Sequence, residues 1–188
     1  MSEKVFHGSP KQGMNLILPQ VGTHGKPLVY ASINPLVSAL FLGRLGGDFT
    51  CCMGREEGKL YLVERFEGAL EARYRDKKGS IYTLSGEGFY KKNSFWSDEV
   101  VSESSVKPIS EVKVSNALEY ILRRVDSGKI DLYRYPSRPV WIPEDDSDLV
   151  ERALDWIEIG ELDVLRQVER FHSNLLKEIL WRLQHDRS

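Results

Sequence analysis

Up to about residue 114, short apolar runs are cut by Gly and Pro, and beyond it apolar residues recur at helical spacing. The first region predicts strands over residues 4–7, 27–31, 59–65, 79–84 and 99–103, and a last one over 106–109 across a turn. One helix interrupts them. Asn34-Pro35 opens it, because an Asn side chain accepts from free amides and Pro suits a first turn; Leu36, Val37, Ala39, Leu40 and Phe41 supply its apolar body. Gly43 or Gly46 would end it. Further on, Val114, Leu118, Ile121, Leu122 and Val125 fall at helical spacing, with Asn116 and Glu119 placed as a capping box and Gly128 as a stop. Pro136, Pro139 and Pro143 make a link to two more helices, over 148–159 and 162–183. The second carries Leu165, Val168, Phe171, Leu175, Ile179 and Leu183 along one stripe. The pattern predicts an α+β protein: an N-terminal domain, residues 1–114, and a helical extension, residues 115–188, packed on it or appended to it. The sequence has no internal repeat or low-complexity segment.

Composition narrows this picture. At 188 residues, 41% hydrophobic and 29% charged, the chain can bury a core and hold a preformed cleft without disulfide or metal staples. A net charge of −2 provides no broad cationic surface to grip an extended nucleic-acid backbone. The local run Arg73, Arg75, Lys77 and Lys78 reads as a solvated loop. Cys51 and Cys52 are adjacent, so they cannot close an ordinary disulfide, and no second Cys or His pair stands at a ligand spacing. A structural role in a reducing compartment follows, with no metal. The first residues lack the apolar core of a signal peptide, and no stretch is long enough to span a bilayer. The reading is a cytoplasmic protein without a membrane partner.

Three segments pair a predicted strand with a polar or aromatic residue at its end: Val5-Phe6-His7-Gly8-Ser9, Leu28-Val29-Tyr30-Ala31-Ser32 and Ser97-Asp98-Glu99-Val100-Val101. His-Gly-Ser sets an imidazole beside a Gly whose backbone can approach a ligand closely, followed by a hydroxyl that donates or accepts. Ser38 and Phe41 follow Tyr30 by eight and eleven residues and lie one helical turn apart, on one face.

These motifs resemble the ADP-ribosyltransferase superfamily, in the His-Tyr-Glu branch that includes the poly(ADP-ribose) polymerases. The likeness is one of motifs in order, not of continuous sequence. It implies a split β-sheet core that takes NAD as co-substrate and has no metal. It further implies that His7 bonds a ribose hydroxyl of the adenosine half, that the Gly8 backbone and Ser38 hold the nicotinamide carboxamide with Ser9 alongside, and that Tyr30 and Phe41 sandwich the ring. Glu99 would act on the nicotinamide ribose, completing a catalytic set of His7, Tyr30 and Glu99. A carboxylate there stabilises the oxocarbenium character that develops as the glycosidic bond breaks, and can take an acceptor's proton. Phe41 stands where the family has Tyr, keeping the stacking surface without the hydroxyl. Residues 47–98 carry no motif that aligns, so the acceptor, macromolecular or small-molecule, lies outside the resemblance.

Each residue alone has a plainer reading: His7 as a strand-end structural residue, Tyr30, Ser38 and Phe41 as packing, Glu99 as a surface carboxylate. Glu103 shares a face with Glu99 by strand alternation and is the first competing carboxylate; Glu87, in Ser85-Gly86-Glu87-Gly88, is the second. His24 reads as a loop residue, and nothing assigns chemistry to His172 or His185. The function implied is a mono-ADP-ribosyltransferase or NAD glycohydrolase. The alternatives are an RNA 2'-phosphotransferase-like enzyme, whose usual basic residues are not evident here, and a non-catalytic module that binds NAD or ADP-ribose while the C-terminal helices bind a partner.

Overall fold

In the computed structural model, which describes residues 3–22, 25–92, 97–161 and 163–185, the apolar runs fold as strands and helices of a mixed α+β protein. The first half holds β1 (Lys4–Ser9), β2 (Gln20–Val21), β3 (Pro27–Ser32), α1 (Pro35–Leu40), β4 (Cys51–Glu56), β5 (Lys59–Glu64), α2 (Ala69–Tyr74) and β6 (Gly79–Ser85). The second holds β7 (Glu99–Ser102), β8 (Ser110–Val114), α3 (Ala117–Asp126), β9 (Ile130–Tyr133), α4 (Ser147–Glu158), α5 (Val164–Phe171) and α6 (Leu176–His185). His24, Leu162 and residues 93–96 of the predicted turn lie outside the described residues.

Contacts divide the chain into two units, residues 1–44 with 74–128 and residues 45–73 with 129–188. A single break at residue 114 does not separate them. Helix α3 stays with the first unit, while β9 pairs in parallel with β5 and draws residues 45–73 to the C-terminal part. The expectation of an N-terminal domain ending at 114 missed this because long-range parallel pairing leaves no local signal.

In the first unit the strand order is β2-β3-β1-β6-β8, and β7 also pairs with β3; every pairing is antiparallel. Alternation sends Val5, Val29, Ala31, Tyr82, Leu84 and Val100 to one face, where Ile17 and Phe89 close the core. Helix α1 is capped as its sequence predicts, the Asn34 side chain accepting from Leu36 N at 2.9 Å. It ends at Phe41, before either Gly, where the amides of Phe41 and Leu42 fold back onto Ser38 O and Ala39 O. The strand predicted over 106–109 is reduced to a single bridge, Val106 with Ile17, and the ladder on β6 is made by β8 instead. Pro108 accounts for the shift, since it brings no N–H to a ladder. Helix α3 carries the predicted cap, with Asn116 accepting from Glu119 N at 3.0 Å, and Gly128 follows at φ 70°.

In the second unit β4 and β5 form a hairpin turned by Glu57 and Gly58, both at positive φ, ahead of parallel β9. Leu149, Val150, Ala153, Ile157, Val164, Val168, Leu175 and Ile179 gather around Phe49. The one helix predicted over 162–183 is broken: α5 stops at Phe171, a 3-10 turn spans Ser173–Leu175, and α6 resumes at Leu176. His172 causes the break by leaving helical dihedrals while its Nε2 bonds Phe49 O at 2.7 Å. The stripe survives the break, with Val168, Leu175 and Ile179 in the core and Leu165, Phe171 and Leu183 at its margin.

Buried Arg65 is held by the Asp146 and Asp148 carboxylates at 2.9 and 2.5 Å, the pairing that makes an interior guanidinium tolerable. Burial pushes the free thiols of Cys51 and Cys52 up to about 12 and about 11, so both stay protonated at neutral pH. Among the described residues no helix is long and apolar enough to cross a membrane.

Phe49 ends a second 3-10 turn, Gly47–Phe49, packs into the helical core and has no exposed surface. Phe49→Ala is therefore expected to cost about 3–5 kcal/mol of unfolding free energy. Urea titration followed by circular dichroism checks this, as a lowered midpoint at unchanged slope.

Candidate functional site

The three motif strands lie side by side in the order β1-β3-β7. β3 and β7 pair over four positions, Ser32 with Glu99 through Val29 with Ser102. β1 and β3 register through one, Phe6 with Ser32. Partnered residues project to the same face, so Phe6, Gly8, Tyr30, Ser32, Glu99 and Val101 share one side of the sheet. Val5, His7, Val29 and Ala31 share the other. Tyr30 and Glu99 are diagonal neighbours, a relation that separates residues by roughly 7–8 Å.

His7 meets Tyr30 at the seam between strands rather than across a face. Its Nδ1 lies 2.7 Å from the Tyr30 carbonyl. The Phe6 carbonyl, one residue earlier, accepts from the Ser38 hydroxyl at 2.8 Å. Each bond gives a seam carbonyl a side-chain donor, so β1 and β3 can part after one registered pair without leaving these oxygens bare.

The same bond fixes the chemistry of His7. A carbonyl only accepts, so Nδ1 carries the proton and Nε2 of the neutral ring offers a lone pair. Burial lowers the pKa of His7 below the ordinary 6.5; the bond to Tyr30 opposes this and the charge of Arg44 adds to it. The ring rests 6.4 Å from that of Tyr82. Tyr82 donates to Lys11 O at 2.8 Å, and the Glu111 carboxylate accepts from Ser80 at 2.5 Å and Gly13 N at 2.8 Å. These bonds pin the loop after His-Gly-Ser. The Ser9 hydroxyl accepts from Lys11 N at 3.2 Å and thus serves that turn.

Gly8 is pressed against α1: a Cβ there would lie 1.8 Å from Ser38 O. Ser38 is buried, and because it donates to Phe6 its remaining capacity is to accept. The Tyr30 ring lies over Gly22, where a Cβ would come within 2.8 Å of the phenol oxygen. Phe41, at the C-cap of α1, is 43% exposed, which leaves its ring available for stacking. Glu99 is half-buried at the start of β7.

The competing carboxylates stand elsewhere. β7 ends at Ser102, so strand alternation does not extend to Glu103; that exposed carboxylate takes the Tyr90 hydroxyl at 3.0 Å and Lys26 at 3.5 Å. The Tyr90 bond, with Lys26 beside it, holds Glu103 below the usual carboxylate range. Glu87 is exposed in the turn after β6. His172 is buried and bonds backbone, and His185 bonds Trp181 O at 2.8 Å. Sequence reasoning did not single out Gly22, Tyr82 or Glu111. Gly22 stands two residues before His24, which reads only as a loop residue, and the others become partners only through strand pairing.

Among the described residues no group of three or more His, Cys, Asp and Glu side chains is placed to hold a metal ion. No family model, curated protein or solved structure matches the chain.

Two substitutions test this geometry. Gly8→Ala forces α1 off β1, because the obstructing atom is backbone; a loss of about 1–3 kcal/mol is expected, read as a lowered thermal midpoint. For His7, the unfolded chain takes up a proton near 6.5 while the folded chain resists. Its contribution therefore falls as pH drops below that value and is flat above it. His7→Asn keeps a donor for Tyr30 O but cannot titrate. Unfolding across this pH range should show a shallower acid slope in the variant, the residue of the slope including that of His172, whose pKa is also lowered by burial.

Proposed function

We propose that the first unit binds NAD and cleaves its nicotinamide–ribose bond, acting as a mono-ADP-ribosyltransferase or NAD glycohydrolase. The observation that carries this reading is the seam: His7 Nδ1 sits on the Tyr30 carbonyl, and Glu99 enters diagonally to Tyr30 from the next strand. The residues fit the dinucleotide in kind. Neutral His7 presents Nε2 to accept from a ribose hydroxyl, and Ser38 presents lone pairs to a carboxamide N–H. Tyr30 and exposed Phe41 supply aromatic faces for a planar ring. NAD would supply a glycosidic bond whose leaving group is already a cationic pyridinium. Glu99 would grip the ribose hydroxyl and stabilise positive charge developing on the sugar. With the same carboxylate as base, an acceptor hydroxyl or water would lose its proton as it attacks.

Incubation with NAD, with and without candidate acceptors, should release nicotinamide, and Glu99→Gln should reduce release by at least about a hundredfold while NAD still raises the melting temperature. A melting shift in the wild type without nicotinamide would leave binding and remove catalysis. Absence of both the shift and the release would overturn the reading.

A further inference from the structure

The seam residues provide no positive charge, since burial keeps His7 neutral at physiological pH. A dinucleotide carries a diphosphate, and two cations stand beside this seam. The exits of β1 and α1 converge on Gly79, the first residue of β6. A Cβ there would lie 2.3 Å from Ser9 O, 2.8 Å from Leu42 Cδ2 and 3.1 Å from Pro10 Cα. Lys11 follows Pro10 directly, and Arg44 follows Leu42 by two residues. Gln12 ties the first of these segments to the same glycine, its Nε2 donating to Gly79 O at 2.8 Å.

The backbone of Lys11 is fixed on both sides, its N–H on the Ser9 hydroxyl and its carbonyl under the Tyr82 hydroxyl. Its side chain is exposed, as is that of Arg44. Neither forms an ion pair with a carboxylate among the described residues, whereas Lys26, Lys59, Arg123 and Arg138 all do. Two cations, neither paired with a carboxylate among the described residues, thus follow the segments that meet where the strand bearing His7 ends. The charge of Arg44 reaches that imidazole.

We infer that Lys11 and Arg44 form a diphosphate-binding pair at the junction of the β1 and α1 exits, and, resting on the NAD reading above, that they take the pyrophosphate of the dinucleotide. Arg44 can present two N–H groups to one phosphate, and Lys11 acts as a point charge on the other. The Ser9-Pro10 backbone and the Leu42 side chain both pack on Gly79, so the fold sets the two segments that lead to these cations side by side.

Calorimetric titration of the full chain with NAD, ADP-ribose, inorganic pyrophosphate and nicotinamide tests this. Arg44→Ala and Lys11→Ala should each weaken NAD and ADP-ribose by about tenfold to a hundredfold, and the double variant should lose inorganic pyrophosphate. Nicotinamide, which has no phosphate, should bind all variants as it binds the wild type. Arg44→Lys should recover part of the loss. Both side chains are exposed, so melting temperatures without ligand should be unchanged. Unaltered NAD and ADP-ribose affinity in the double variant would overturn the pair while leaving the NAD reading standing. Pyrophosphate bound by the wild type and lost in the double variant, with NAD bound by neither, would retain the diphosphate pair and sink the NAD reading. No binding of pyrophosphate or ADP-ribose to the wild type would overturn the pair.

Discussion

The approach of α1 to Gly8 is the constraint on which the first unit's candidate site depends. The carbonyl of Ser38 occupies the volume a side chain at residue 8 would need, so the helix sits close enough for its hydroxyl to reach the Phe6 carbonyl. That bond replaces a ladder bond. With Phe6 satisfied by the helix and Tyr30 by His7, two adjacent strands can separate inside a sheet at no cost in bare carbonyls. A larger residue at position 8 would lift α1, remove the Ser38 donor and leave the seam carbonyl to find a new partner. The opening is therefore built from a glycine, a serine and a histidine, and the opening rather than the sheet face is where His7 meets Tyr30.

Much of this was legible in the residues, and what was not has identifiable causes. The strands around His7, Tyr30 and Glu99, the Asn34 and Asn116 caps and the apolar stripe of the last helices follow from alternation, capping chemistry and 3.6-residue spacing, which are local properties. β4 was hidden because Cys51-Cys52-Met53-Gly54-Arg55-Glu56 does not alternate, although Glu57-Gly58 marks its hairpin. β9 was hidden because its partner, β5, lies some seventy residues earlier. The break at His172 needed knowledge of the Phe49 carbonyl that bonds its ring. Each of these is fixed by a distant partner.

The site divides along the same line. The order of the motifs groups His7 with Tyr30 only as an expectation, and the contact the structure shows between them, imidazole to backbone carbonyl, leaves no sign in the sequence. Sequence alternation placed Glu99 and Glu103 on one face, and the structure separates them because β7 is only four residues long. The first keeps its place on the strand beside Tyr30, and the second is drawn into an exposed pair with Tyr90 and Lys26. A short strand thus gives different surroundings to two carboxylates that composition treats alike.

Charge is handled in opposite ways at Arg65 and Arg44. Arg65 is buried and surrounded by Asp146 and Asp148, because an interior guanidinium without counter-charge would cost several kcal/mol. Arg44 is exposed and meets no carboxylate among the described residues, and water bears the cost instead. A buried cation whose charge is met by two carboxylates is closed to an outside anion; a solvated one exchanges water for an anion with little reorganisation. His7 is handled in a third way, since the neutral ring with its proton on Nδ1 keeps a lone pair at Nε2, whereas the protonated ring would donate there. On the proposed NAD reading, the exposed cations at the strand exit would take the diphosphate and the neutral buried ring a sugar hydroxyl, each group meeting the part of the ligand that its charge suits.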